Sequence, residues 1–185
     1  MRRVLALGAI AFAPLALAQS GGSPYVTASA AEATYDVECT APLTCAEKDK
    51  GYKLGLGWQH NRYLAGELAY NDLGQADFRG PSFGAFLHAT AYELTAVGTY
   101  PLGGVFSVLG RLGLMHGTTK YGRDFEGKRT TTGFTFGAGL QLDFSKNVAV
   151  RLQWQRFPLE AQLSGQVEEK LDVDMLSVGL LLYPR

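Results

Sequence analysis

Charged, cysteine and histidine side chains are scarce in this chain, and each scarcity narrows what the chain can do. Its 17 basic and 17 acidic residues balance, so there is no basic excess of the kind that binds nucleic acid. Two cysteines and three histidines do not form a cluster with the spacing of a tetrahedral zinc site. No helical periodicity of useful length follows residue 18. We therefore expect no nucleic-acid partner, no metal, no cofactor and no helical fold.

Long apolar runs are also missing, apart from one at the start of the chain. Arg2 and Arg3 precede an apolar stretch, 4–17, and Ala16-Leu17-Ala18 has the small-x-small pattern of a cleavage site. The apolar stretch is short compared with the roughly 17–25 residues of a membrane-spanning helix. Residues 1–18 are therefore predicted to be a secretory signal peptide. Residues 19–185 then form one exported domain with a net charge near −2.

The two cysteines, Cys39 and Cys45, are separated by only a short polar segment. An exported chain passes through an oxidising compartment, in which neighbouring cysteines pair. Their spacing is wider than the Cys-x-x-Cys pattern that redox catalysts use. We predict a disulfide that closes and rigidifies a small loop.

Apolar residues alternate with polar or small ones along much of the chain, most clearly between residues 133 and 155. One face of the first segment carries Phe134, Phe136, Ala138, Leu140, Leu142 and Phe144. The other face carries glycine, threonine, glutamine and aspartate, and the same alternation resumes after a turn at 145–147. Such a strand has a different solvent on each face. Glycines beside charges fit the inside of a narrow barrel whose outside touches lipid.

The same pattern predicts eight strands between Pro24 and Tyr183, with short and long connections in alternation. The connections predicted to be long are 33–50, 72–82, 117–131 and 160–168. This rhythm is typical of barrels that cross a membrane, because all short turns then lie on one side. The predicted fold is an all-β, eight-stranded antiparallel up-and-down transmembrane β-barrel.

The distribution of charge distinguishes this barrel from a soluble one. Lipocalin-like barrels also have eight strands, but they enclose an apolar cavity and show a polar outside. Here the charged residues fall on the glycine-rich, inward face: Lys53, Glu67, Glu93, Arg111, Asp143 and Arg151. Three acids and three bases in a confined lumen lower their energy by pairing. We predict an ion-pair network that fills the lumen, and the alternative is a narrow pore gated by rearrangement of those pairs.

Aromatic residues fall on the outward face or near the predicted strand ends. The set predicted to lie at the membrane boundaries is Trp58, Tyr63, Tyr70, Tyr92, Tyr100 and Trp154. Amphipathic rings favour the headgroup region, where an apolar body and a polar tip both find suitable surroundings. We interpret these residues as aromatic girdles.

An enzyme is the less favoured reading. A lipid-modifying barrel needs a nucleophile, a base and an orienting acid at its rim. His60, His88 and His116 have no such partners at a fixed spacing. We therefore expect no enzymatic activity.

Two segments carry a resemblance to a known family. Residues 136–143 form a Gly-x-Gly strand, and a short turn containing Asn147 leads to a strand with an inward Arg151. The last strand, with Met175-Leu176-Ser177-Val178-Gly179-Leu180, adds to the match. On these residues the chain resembles the OmpA-like family of small outer-membrane β-barrels, with a shared pattern over most of 24–185.

The resemblance implies a location and a set of partners. It implies the outer membrane of a Gram-negative-type cell envelope, contact with outer-membrane lipid, and biogenesis through the outer-membrane assembly machinery. It also implies a non-enzymatic structural or surface-interaction role, with outer loops available to an extracellular partner. The family commonly ends in an aromatic residue, whereas this chain ends Tyr183-Pro184-Arg185. No periplasmic domain that grips peptidoglycan follows in this sequence, so a cell-wall tethering role is not implied.

Overall fold

The computed structural model describes residues 22–36, 44–46, 48–79, 84–123, 127–164 and 167–184. Nine strands are present in this part of the chain: β1 Ser23–Tyr35, β2 Thr44–Ala46, β3 Lys48–Asn61, β4 Leu64–Arg79, β5 Gly84–Gly103, β6 Phe106–Arg123, β7 Gly127–Asp143, β8 Val148–Ser164 and β9 Val167–Leu182. No helix among the described residues is long and apolar enough to cross a membrane. The predicted signal peptide, 1–18, lies outside the described residues.

Eight of the strands close into a barrel. Each long strand pairs antiparallel with its neighbour in the chain, and pairing of β1 with β9 closes the ring. The predicted eight-stranded antiparallel barrel is therefore confirmed. The ninth strand, β2, is a three-residue segment that pairs with the end of β4, from Thr44↔Arg79 to Ala46↔Asp77. It was not predicted, since it lies inside the segment expected to be a loop.

In the part of the barrel with an apolar outward face, alternation along the strands places polar residues inside, as predicted. On β7, Phe134 is 66% exposed, whereas Thr135 and Gln141 on the opposite face are 0% and 5% exposed. Small residues on the inward face leave room in the narrow interior for the large side chains of neighbouring strands. A β-carbon at Gly57, for example, would overlap the ring of Tyr25.

The three short turns lie at one end of the barrel, which we call the turn end. Asn61 shapes the turn between β3 and β4, because its side-chain oxygen accepts hydrogen bonds from Tyr63 N at 2.8 Å and Leu64 N at 3.0 Å. Between β5 and β6, Gly103 and Gly104 adopt φ angles of 130° and 58°, which residues with a side chain rarely adopt. The other ends of the long strands lie at the opposite end of the barrel, which we call the loop end.

The strands extend further toward the loop end than the sequence predicted. The segments 72–82 and 117–131, expected to be loops, are mostly strand: β4 runs to Arg79, β6 to Arg123, and β7 starts at Gly127. Polar residues and glycine suggested loops there, but a strand in water carries polar residues on its outward face. Gly74, with φ 73°, lies where the pairing of β4 with β5 shifts between Asp72 and Gln75. The strand therefore continues through an irregularity rather than ending at it.

The polarity of the two faces is reversed toward the loop end. Twelve buried residues fill the interior there and form what we call the upper apolar cluster: Ala33, Tyr35, Leu73, Ala76, Leu87, Ala89, Ala91, Met115, Phe157, Leu159, Val173 and Met175. The outward face at this end carries charged pairs instead. Arg156 donates to Asp174 at 2.7 Å and 2.5 Å, and this contact raises the pKa of Arg156 above its ordinary value. Apolar inside and charged outside is the arrangement of a barrel surrounded by water.

The length of the strands agrees with this reversal. About 9–11 residues of a tilted strand suffice to cross a bilayer. The longest strand, β5, has 20 residues. Since the outward apolar residues occupy the half near the turn end, the half near the loop end projects beyond them.

Candidate functional site

Five charged side chains meet inside the barrel, about midway between its ends. They come from five different strands and are each at most 5% exposed: Lys53 on β3, Glu67 on β4, Glu93 on β5, Arg111 on β6 and Arg151 on β8. We call these five residues the lumen network. All five lie on the inward face because each occupies the polar parity of its strand.

Glu67 lies at the centre of the network and contacts all three cations. Its Oε1 lies 3.0 Å from Lys53 Nζ and accepts a 2.8 Å hydrogen bond from Arg111 Nη2. Its Oε2 accepts hydrogen bonds from Arg151 Nη1 at 2.9 Å and from the hydroxyl of Tyr25 at 3.0 Å. Both oxygens of this buried carboxylate are thus fully used, which is the condition under which a charge can be held away from water.

Glu93 is the second carboxylate and shares two of the same cations. Lys53 Nζ donates to Glu93 Oε1 at 2.5 Å, and Arg111 Nη2 donates to the same oxygen at 2.7 Å. The amide of Gln155 donates to the other oxygen. Lys53 and Arg111 therefore each bridge Glu67 and Glu93.

The sixth predicted member, Asp143, is not one of these five residues and is linked to Arg151 through Gln141. It is half-buried at the turn end, where its Oδ1 accepts a 2.8 Å hydrogen bond from Gln141 Nε2. Asp143 has the inward parity, but it is the last residue of β7 and lies too near the end of the barrel. The network consequently has three cations and two carboxylates, which leaves an excess of one positive charge.

Neutral side chains complete the network, and the sequence reasoning gave them no role. Arg111 Nη1 donates to Gln153 Oε1 at 2.8 Å, and Arg151 Nη2 donates to Gln141 Oε1 at 2.9 Å. Gln155 also donates to Thr135 Oγ1 at 2.8 Å. Their inward parity could have identified them, because an amide on the lumen face of a narrow barrel lies within reach of the inward charged groups.

Two apolar layers enclose the network. The upper apolar cluster lies above it, and a lower apolar cluster lies toward the turn end: Tyr25, Ala65, Val97, Leu109, Ala149 and Leu181. Within the described residues, Arg111 Nε and Asn71 Oδ1 are buried side-chain polar atoms without a hydrogen-bond partner. The charged groups of the lumen network thus lie between two apolar layers.

The six predicted boundary aromatics lie on the outward surface at two levels. Trp58, Tyr63 and Tyr100 lie near the turn end, and Tyr70, Tyr92 and Trp154 lie where the outward face changes from apolar to polar. The rings of Tyr70 and Tyr92 are 5.2 Å apart.

Sequence reasoning did not include Tyr52 in this set. Its ring lies 6.0 Å from that of Tyr70 and extends the upper row. Tyr52 lies one residue inside the predicted start of its strand, and this position near a strand end could have identified it as a boundary residue.

The remaining predicted sites have separate outcomes. Cys39 lies outside the described residues and the side chain of Cys45 is not described, so their disulfide stays a prediction.

His116 Nδ1 lies 2.9 Å from Thr132 Oγ1, and His88 Nε2 lies 3.2 Å from Asp72 Oδ1. In the part of the chain that the structure describes, no hydrogen-bonded set joins a histidine, a hydroxyl and a carboxylate. The same residues contain no group of three potential metal ligands.

Known proteins are similar to this chain in sequence and in fold. The chain matches the outer membrane protein beta-barrel domain over residues 4–182. Outer membrane protein A of Serratia marcescens is 32% identical over 134 residues, which cover 68% of this chain and 36% of that protein. The chain thus spans about a third of the length of the curated relatives it matches.

Solved structures show the same architecture at low sequence identity. Neisserial surface protein A has a TM-score of 0.56 at 16% identity, covering 88% of this chain and 99% of that one. Ail, the attachment invasion locus protein of Yersinia pestis, has a TM-score of 0.53 at 17% identity, covering 88% and 97%. The predicted resemblance to OmpA-like barrels is confirmed. The chain belongs to the outer membrane protein beta-barrel domain family and is an eight-stranded barrel of the Gram-negative outer membrane.

Proposed function

We propose that this protein is a non-enzymatic outer-membrane barrel that acts through its loop end and conducts nothing along its axis. The ion pairs and apolar layers that fill the lumen are the observation that carries this proposal. Three cations and two carboxylates are paired at 2.5–3.0 Å, and apolar layers lie above and below them. A solute moving along the axis would have to break several buried ion pairs, each of which is strongly unfavourable to break.

The loop end supports a role in surface interaction. Strands β4 to β9 project beyond the outward apolar residues and hold their connections on a rigid wall, where binding groups are commonly found. Much of the predicted loops 72–82 and 117–131 is strand, so contacts would involve strand surfaces as well as connections. Ail shares this fold and is an attachment invasion locus protein that has been solved with a heparin analogue, sucrose octasulfate. An extracellular partner, outer-membrane lipid and the assembly machinery are the partners that we propose.

Two measurements test the proposal. In planar bilayers, the refolded barrel should show no steady conductance, and a stable open channel would contradict the closed lumen. Protein in lipid nanodiscs should bind to members of an array of extracellular-matrix proteins and sulfated polysaccharides. The control is protein trimmed with trypsin, which can cut beside Lys120, Arg123 and Lys128 at the loop end. Binding no greater than that of empty nanodiscs would contradict a surface role.

A narrow gated pore is the second candidate, and one feature favours it. Lys53 and Arg111 each contact both Glu67 and Glu93, so one cation can move while the other keeps both carboxylates paired. Glu93→Gln should then increase the frequency of brief openings in bilayer recordings, because it weakens one of the two attachment points. Silent recordings from this variant would leave the closed barrel as the better description.

A further inference from the structure

The backbone pairing between β7 and β8 ends well before the two strands do. It runs from Asp143↔Ala149 to Phe136↔Arg156. Beyond that rung, 127–135 pair with β6 and 157–164 pair with β9, and the described residues show no further rung between β7 and β8. We call these two facing segments the β7–β8 seam. In contrast, β6 and β7 stay paired as far as Tyr121↔Gly127.

The two strands also move apart at the seam. A β-carbon at Gly137 would overlap the carbonyl oxygen of Trp154, and one at Gly139 would overlap that of Leu152, each the residue before the facing β8 residue. At Gly133 the nearest β8 carbonyl oxygen, that of Pro158, lies 3.9 Å from the β-carbon position. Gly133 occupies the same parity of β7 as the other two glycines, so the difference reports separation of the strands.

Pro158 gives a physical reason for the end of the ladder. Its carbonyl oxygen faces β7, and in a strand the N–H and C=O of one residue point toward the same neighbour. Proline has no N–H, so β8 lacks a donor toward β7 at this residue. At Arg156, the last β8 residue paired with β7, the backbone carbonyl accepts a 2.8 Å hydrogen bond from Thr135 Oγ1. A side chain therefore also bonds to β8 where the ladder ends.

The space behind the seam is apolar. Met115, Phe157 and Leu159 belong to the upper apolar cluster, and Met115 Cε lies 3.6 Å from the β-carbon position of Gly133. In front of the seam, Phe134 and Trp154 are outward apolar residues just below the polar surface. The seam thus begins at the lipid–water boundary. Backbone groups without partners are tolerated there but not in the hydrocarbon, where each is strongly unfavourable.

We propose that the β7–β8 seam is a lateral portal through which a small, uncharged apolar molecule passes between the upper apolar cluster and the outer leaflet. The lumen network lies between the upper apolar cluster and the turn end, so a route through the side wall avoids these buried charges. Methionine side chains adapt readily to an apolar guest, and burial of its surface favours its entry. A lipid acyl chain fits less well, because it hangs from a headgroup at this level and would have to turn back upward.

Amide exchange of the protein in lipid nanodiscs tests the seam itself. Asp143 N donates to Val105 O on the β6 side, so odd-numbered amides of β7 face β6 and even-numbered amides face β8. Phe134 and Thr132 should therefore exchange about 100-fold faster than Gly133 and Thr135, which lie on the same strand at the same depth. Equal protection of the two pairs would overturn the proposal.

Methyl NMR tests the occupant. The methyl group of Met115, labelled with carbon-13, should shift when n-octane is added to the nanodiscs. Pro158→Val restores the donor toward β7, so it should slow exchange of Phe134 and weaken the methyl response. Pro101→Val, at the turn end, is the matched control and should change neither.

Three results would overturn the portal. They are no response of Met115 to n-octane, an undiminished response in Pro158→Val once exchange of Phe134 has slowed, and contacts from Met115 to lipid acyl chains without added n-octane. The last result would instead identify the seam as a lipid site. A boiled-against-unboiled gel shift confirms that each variant has folded.

Discussion

Removal of one carboxylate from the lumen network should destabilise the barrel strongly, and Glu67→Gln is the sharpest such change. Glu67 is fully buried and contacts Lys53, Arg111 and Arg151 at 3.0, 2.8 and 2.9 Å. The substitution keeps the size of the side chain but raises the excess positive charge of the network from one to two. Breaking a buried ion pair by neutralising one partner typically costs about 3–5 kcal/mol, and we expect a loss in that range.

The assay is equilibrium unfolding by denaturant in lipid vesicles, followed by tryptophan fluorescence. The free energy of unfolding is extrapolated linearly, and an unchanged slope indicates that both proteins unfold through the same transition. Glu32→Gln is the matched control, since its partner Lys48 lies at 3.3 Å but the two side chains are 59% and 65% exposed. An exposed pair contributes about 0–1 kcal/mol. A loss below about 1 kcal/mol for Glu67→Gln would refute the claim that the network is tightly coupled.

The excess charge gives a second, independent check. Lys53→Met leaves two cations facing two carboxylates, so it should destabilise the barrel less than Glu67→Gln does. The double variant keeps the native excess of one charge and should lose less stability than the two single losses added together. Additive losses would show that Lys53 and Glu67 act independently despite their 3.0 Å separation.

Three further predictions concern the outside, the small interior residues and the upper cluster. Leu152→Arg places a charge on the lipid-facing side and should lower the free energy of unfolding by about 2–4 kcal/mol. Thr130→Arg, above the apolar band, should lower it by about 0–1 kcal/mol. Equal losses in refolding titrations would contradict the assigned depth. Gly57→Ala should lower the free energy of unfolding by about 1–3 kcal/mol in the same titrations, because the new methyl group overlaps a buried ring. Gly66→Ala, with open space around it, should cause no such loss. Similar losses would argue against tight packing. Burial raises the pKa of Tyr35 above its ordinary value near 10, so its contribution to stability is complete below pH 10 and falls as the pH rises above it. Tyr35→Phe should therefore show a smaller loss of unfolding free energy between pH 10 and 12, and an identical pH profile would contradict this assignment.

The alternation of residues was sufficient to predict the barrel and the inward face of its charges. Lys53, Glu67, Glu93, Arg111 and Arg151 follow from parity alone, because each strand shows which side is polar. Parity does not give depth along the barrel. Depth depends on the register between strands, which no single strand contains. Parity therefore does not predict the lumen partners of each charge, nor the excess positive charge.

The outer halves of the strands show a different limit of sequence reasoning. Residues of β4 beyond Tyr70 resemble a loop in composition, because Asp72, Gly74 and Gln75 lie within four residues. They are strand because the polar side of the pattern now faces water while Leu73 faces the upper cluster. A search for strands with an apolar outside misses such a segment, since the apolar parity moves from the outward face to the inward one.

Reversal of polarity also accounts for the position of the seam. Within the hydrocarbon, every rung of the barrel has to be paired, and the ladder of β7 with β8 is continuous up to Phe136↔Arg156. Arg156 is the first charged outward residue of β8, and Pro158 follows it on the same face. A proline two residues closer to the turn end would replace Arg156 and leave a carbonyl of β7 without a donor beside lipid. The chain therefore tolerates its break in pairing at the first position where water can reach the backbone, and this location is what joins an apolar interior to the membrane surface.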